Sequence, residues 1–109
     1  NYNFMLKDLP IKKPTILKSN KSTYHLYIIR LIRNSNYKNI FNHLRNKGIL
    51  VNLHYIPIHF HPFYKNLGFK AGDFPNAEDY STRSISIPIY PTLTEKQQKY
   101  ITNSLREIL

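Results

Sequence analysis

Residues 54–64 read "HYIPIHFHPFY" and place His54, His59 and His61 among Tyr55, Phe60, Phe63 and Tyr64, with Pro57 and Pro62 stiffening the backbone. Two chemistries suit these residue types. The first is metal ligation. His59 and His61 are two residues apart, so on an extended backbone their rings point the same way, and with His54 they offer three neutral imidazoles to a zinc ion. No Asp or Glu lies close in sequence to orient those rings, and Asp73 and Glu78 would have to fold back to do so. The plainer reading, that one or two of the histidines are partly buried and hydrogen-bonded, is preferred, and no metal site is assigned. The second chemistry is a ligand pocket. His and Tyr side chains on a proline-stiffened backbone hydrogen-bond a polar ligand and shield it from water at low entropic cost. His54, Tyr55, His59 and Tyr64 fit that role.

Reaction chemistry within the chain is harder to find. There is no Gly-rich phosphate loop, no nucleophile-elbow Ser and no close carboxylate pair. Asp73 is expected in a turn and Glu78 in a helix-start contact. Arg30, inside an apolar stretch, must be paired or sit at a sheet edge, and it can snorkel or pair with Asp79 or Glu107. A pocket wall without reacting groups needs a second domain or a cofactor held elsewhere.

The elements that must position this segment follow from periodicity. "YHLYIIRLI" (24–32), rich in β-branched and aromatic residues, predicts a buried strand. Tyr37, Ile40, Phe41 and Leu44 share one helical face, with Asn34 or Ser35 as cap and Gly48 as a left-handed terminus. "ILVNLHYI" (49–56) predicts a second strand that Pro57 ends. Residues 57–76, with Pro62, Gly68, Gly72 and Pro75, predict a long functional loop with one helical turn near Tyr64. "NAEDYSTR" makes a short helix. "SISIPIY" is a third strand, with Pro88 marking an edge or a bulge. "TEKQQKYITNSLREIL" is a closing helix with a Thr94–Gln97 capping box and a Tyr100, Ile101, Leu105 and Ile108 stripe. Residues 1–23 read as an irregular lead-in and 24–109 as the domain proper. Helices packed on a small sheet make an α+β fold, which by itself is silent on function.

Composition sets outer bounds. A chain of 109 residues makes one domain with a modest core. Without cysteine there is neither a disulfide nor a thiolate zinc site. No apolar run reaches the roughly 18 residues of a membrane span, and "NYNFMLKDLP" lacks a signal-peptide pattern. The start without Met predicts an excised piece of a longer protein, cytoplasmic in origin. The net charge of +10 is scattered, with no run longer than two basic residues, and Asn, Ile, Lys and Tyr are enriched together. Nucleic-acid binding is therefore not expected, although a stand-alone basic module remains the alternative of another class.

Three blocks carry a family resemblance: "STYHLYIIRL", "GILVNLHYIPIHFHPFYKNLGF" and "GDFPNAEDYSTRSISIPIYPTLTEKQQKYI". In this order the sequence resembles the C-terminal domain of the DegT/StrS-type sugar aminotransferases, pyridoxal-phosphate enzymes of the aspartate-aminotransferase (type I) fold. The "HYIPIH…PFY…FPNAE…IPIYP" pattern most resembles the branch acting on UDP-linked 4-keto-6-deoxy sugars. The resemblance implies a small domain, from about Pro14 onward, that closes the cleft of a large one. It implies that pyridoxal 5'-phosphate and its Schiff-base lysine belong to that large domain, that glutamate is the amino donor, and that the whole enzyme is a homodimer. It further implies that His54, Tyr55, Ile56, Pro57, Ile58 and His59 are candidate contacts to a nucleotide sugar. His25 falls at a family position near the cleft, where a purely structural hydrogen bond is the competing role. An inactive, regulatory relative is the remaining alternative.

Overall fold

The computed structural model describes residues 1–32 and 36–109. At its centre is β2 (Tyr27–Leu31), whose burial alternates strictly: Tyr27, Ile29 and Leu31 are buried, while Ile28 and Arg30 are half-buried on the opposite face. β1 (Ile11–Lys12) pairs antiparallel with it, setting Ile11 opposite Leu31 and Lys12 opposite Arg30. On the other side β3 (Ser84–Ile87) pairs antiparallel from Tyr27–Ile87 through Arg30–Ser84. The order β1-β2-β3 makes a three-stranded antiparallel sheet.

The lead-in is more ordered than its sequence suggested. It holds a short helix, α1 (Tyr2–Met5), and β1, and it places Tyr2, Leu6 and Ile11 in the core. The Tyr2 hydroxyl donates to the Pro88 carbonyl at 2.9 Å, and its ring lies 5.0 Å from that of Tyr27.

α2 (Tyr37–Asn46) buries Ile40 and Leu44 and packs Tyr37 and Phe41 at the core's margin, the face its periodicity dictates. The expected caps Asn34 and Ser35 lie outside the described residues; Asn36 is the N-cap, without a side-chain capping bond. Gly48 ends the helix at φ +73°, where its missing Cβ removes the steric penalty of the left-handed region. α5 (Glu95–Arg106) closes the chain. Its Thr94–Gln97 capping box is formed, Ile101 and Leu105 are buried, and Ile108 packs alongside them. Tyr100 leaves the predicted stripe: it is half-exposed and donates its hydroxyl to the Lys47 carbonyl at 3.1 Å. α2 and α5 therefore cover the core face of the sheet.

The strand predicted over residues 49–56 is a correction. Ile49 and Val51 are buried in alternation as expected, but pairing is confined to a single bridge between Asn52 and Ser86. After Asn52 the chain leaves the sheet, and Tyr55 is 72% exposed. Pro57 lacks the N–H that a longer ladder would require.

Leu44 has no exposed surface, so Leu44→Ala is expected to cost about 3 kcal/mol in urea unfolding, the usual loss for a buried leucine. Thr94→Ala removes one side of the capping box and is expected to cost about 1 kcal/mol in the same assay.

Candidate functional site

From Asn52 to Arg83 the chain forms, together with Arg30 of β2, an open groove of about 820 Å³. Pro57 opens a 3₁₀ turn (Ile58–Phe60), in which Phe60 N–H donates to the Pro57 carbonyl at 2.9 Å. α3 (Pro62–Asn66) follows at once, with Pro62 in its first turn, where the missing N–H costs nothing. This is the helical turn expected near Tyr64. After Gly68 and Gly72 the chain enters α4 (Pro75–Ser81), again proline-led. Asp73 closes the preceding turn by accepting from the Lys70 N–H at 2.8 Å, as its position suggested.

One carboxylate holds these pieces together. Glu78 Oε1 accepts from the Gly72 backbone N–H at 2.8 Å and lies 2.9 Å from His59 Nε2. The His59 side chain is buried, with its ring centroid 4.3 Å from that of Phe60 and 5.0 Å from that of Phe74. Glu78 thus ties the 3₁₀ turn, the glycine turn and α4 to one oxygen atom. The bond from Gly72 leads in holding its carboxyl below the ordinary value of 4.5; the bonds to His59 and Phe74 add to it, and partial desolvation opposes it. The helix-start role read for Glu78 holds. The fold back to a histidine, which the sequence offered no reason to expect, is made as well.

Among the predicted residues, Tyr55, Ile56, Pro57, Ile58, His59 and Tyr64 line the groove. His54 does not. Its ring packs edge-on against Tyr55 at 4.5 Å, across a cis peptide bond, and its Nδ1 is buried without a hydrogen-bond partner among the described residues. His25 is exposed and also lies outside the groove lining. The common orientation expected of His59 and His61 is corrected. The backbone at 58–60 is a 3₁₀ turn rather than an extended strand, so His59 is buried while His61 is exposed. Among the described residues no three His, Asp or Glu side chains converge as a metal site.

The rest of the lining comes from residues that the histidine-centred reading passed over: Phe69, Phe74, Asn76, Ala77, Asp79, Tyr80 and Arg30. Phe69 and Phe74 stand 5.9 Å apart and extend the aromatic surface from Tyr64. The one available signal was the long Gly- and Pro-punctuated stretch itself. Of the options open to Arg30, pairing with Asp79 or Glu107 is not the one taken. Asp79 is engaged by Arg83, four residues on, and Glu107 by Lys47 on the helix side of the sheet. The alternation of β2 aims Arg30 at the opposite face, into the groove wall. The site is therefore a mainly apolar, aromatic trough with one guanidinium at its sheet end. Such a surface packs against a ring-bearing ligand and orients it through few polar groups.

The sequence profile of the DegT/DnrJ/EryC1/StrS aminotransferase family matches residues 1–106. Over 107 residues the chain is 32% identical to the UDP-4-amino-4,6-dideoxy-N-acetyl-beta-L-altrosamine transaminase of Helicobacter pylori, an alignment covering 95% of this chain and 28% of that protein. The fold matches that of Helicobacter pylori PseC, an aminotransferase involved in the biosynthesis of pseudoaminic acid, with a TM-score of 0.87 at 30% identity over 97% of this chain and 29% of that one. It also matches the PMP form of a sugar aminotransferase, Spr1654 from Streptococcus pneumoniae, with a TM-score of 0.90 at 27% identity, over 97% and 27% of the two chains. The chain spans about a quarter of the length of the curated relatives it matches. No helix among the described residues is long and apolar enough to cross a membrane.

Glu78→Gln tests the bridge. A carboxyl held below its ordinary value adds stability that is complete above that value and is lost as the pH falls through the depressed one. The variant is expected to be less stable than the parent at pH 7, with the gap narrowing below pH 4.5 in urea titrations run from pH 7 to 3. A gap that stays constant across that range would assign Glu78 no ionic role.

Proposed function

Because the chain belongs to the DegT/DnrJ/EryC1/StrS aminotransferase family, we propose that it supplies the substrate-side wall of a transaminase that aminates a nucleotide-linked sugar. The observation that supports this most is the groove itself, lined by Tyr55, Ile56, Pro57, Ile58 and Tyr64 together with Phe69, Phe74 and Tyr80. A hexose or a base presents flat apolar faces that such walls bind, while its hydroxyls keep to the open side. In its narrower form the proposal takes a UDP-linked 4-keto-6-deoxy sugar as acceptor, glutamate as donor, surface-glycan biosynthesis as the setting and a cytoplasmic homodimer as the working enzyme.

The residues divide into contacts and supports. Tyr55 and Ile58, 72% and 64% exposed, are free to meet a ligand, and Tyr64 continues their surface. His59 shapes the turn, since Glu78 occupies its Nε2 and its ring is buried between phenylalanines. His54 orients Tyr55 through the edge-on contact of their rings. His25 is proposed to act beyond the groove, toward the cleft.

Pyridoxal phosphate, when bound to such an enzyme, supplies the electron sink for amino transfer. Its covalent anchor is a lysine, and among the described residues no lysine lines the groove. The groove does not fit that anchor, so the cofactor is assigned to another part of a longer protein.

Two results are expected. The 109-residue chain alone forms no aminated product from a UDP-4-keto sugar and glutamate, whereas protein expressed from the whole reading frame does so with added pyridoxal phosphate. Product from the short chain, or none from the long one, would overturn the assignment. In the long protein Tyr55→Ala is expected to raise KM for the nucleotide sugar about tenfold, the usual weight of a well-packed aromatic contact, and to change kcat little.

A further inference from the structure

β3 sends Ser84 and Ser86 to the side of the sheet opposite the core. They pair with Arg30 and Ile28, whereas Ile85 and Ile87 pair with the inward-facing Ile29 and Tyr27. The outward face of an antiparallel sheet commonly meets water. Here both serines are buried, at 1% and 6% exposure. Neither hydroxyl has a hydrogen-bond partner among the described residues. A buried polar atom left without a partner costs more than an ordinary hydrogen bond returns, so such atoms are rare.

The neighbouring chain supplies a third. Asn52 bridges to Ser86 in the antiparallel sense, so the residues after it run toward Ser84. Asn52 and His54 are two positions apart, and at extended spacing they share the face that Ser86 occupies. Asn52 Oδ1 is already taken, accepting from Arg45 Nη2 at 3.2 Å. His54 Nδ1 is not: it is buried and has no partner among the described residues. Three polar atoms in want of a partner thus come from two adjoining segments on one side of the sheet. Same-face residues of one strand stand about 6.6 Å apart and neighbouring strands about 4.8 Å apart. A water bonded to two groups at once spans about 5.6 Å, which suits that spacing. Buried waters typically serve about three groups of this kind.

We propose that Ser84, Ser86 and His54 hold one buried water, and that this water fixes the His54 ring as a positioning group for Tyr55. The water donates to His54 Nδ1, so the ring carries its proton on Nε2. The two hydroxyls take up its remaining bonds. Tyr55 is 72% exposed, and among the described residues the edge-on His54 ring, at 4.5 Å, is the aromatic contact that aims it. A ring held from beneath therefore sets the direction of a side chain that stands free in the groove. The positioning role rests on the nucleotide-sugar reading above; the water site does not.

The test uses protein from the whole reading frame. A crystal structure that shows ordered waters is expected to place one within hydrogen-bond distance of all three atoms. Nitrogen NMR of labelled histidine, at about pH 8 and so above the ordinary imidazole range, is expected to show His54 as the Nε2–H tautomer. Ser84→Ala combined with Ser86→Ala is expected to turn that signal into a tautomer mixture, a change that a merely structural role of the serines would not produce. The same double variant is expected to raise KM for the nucleotide sugar about threefold and to leave kcat little changed. A dry site, or a wild-type ring protonated on Nδ1, overturns the proposal even where the double variant fails to fold. A water in place with the tautomer or KM unmoved by the double variant overturns the positioning role. If water and tautomer are found but no nucleotide sugar binds, the site stands and the nucleotide-sugar reading falls.

Discussion

Everything in this molecule is arranged about the two faces of β2. A strand sends alternate side chains to opposite sides, and here the sides differ in kind: Tyr27, Ile29 and Leu31 enter the core, while Ile28 and Arg30 face outward. The core face is closed by α1, α2 and α5 through Leu6, Ile40, Leu44, Ile101 and Leu105. With one face fully occupied, the other is left to the chain between Asn52 and Arg83 and to whatever binds there. A slip of one residue in the pairing with β1 or β3 would bury Arg30 and expose Ile29, so the core itself enforces the register that presents Arg30 to the groove.

The groove depends on a second, smaller constraint. The segment between Pro57 and Pro75 has only short helical turns, and its rings would wander without an internal tie. Glu78 provides one by drawing the Gly72 amide and the His59 ring to a single oxygen. Phe60 and Phe74 cover that ring, which keeps water from competing for its nitrogen. Preorganisation of this kind lowers the ordering cost that ligand binding would otherwise bear. It also means that His59, which lines the groove, is held in place by the fold.

The match to sugar aminotransferases over residues 1–106 gives this architecture a context. The piece in hand has its own core, yet it leaves Tyr55, Ile58, Phe63 and Leu67 well exposed around the groove. A chain spanning about a quarter of its relatives' length can hold one wall of a site while the reacting groups sit elsewhere.

Local chemistry was legible in the residues themselves. The amphipathic spacing of α2 and α5, the Thr94–Gln97 box, the left-handed Gly48 and the break at Pro57 all follow from interactions within a few positions along the chain. The blocks from Tyr55 to His59 and around Phe74 could be matched to a family because their order is a property of the sequence. The pairing of partners far apart was not legible. Nothing local says that Asn52 makes one bridge instead of a strand, or that Glu78 reaches back nineteen residues to His59. Sequence determined which segments could be helix, strand or turn, because those preferences come from each residue's own backbone and its neighbours. Only the tertiary structure decided which charges were satisfied and which were left facing the groove, because that depends on competition among groups that meet only once the sheet has brought them together.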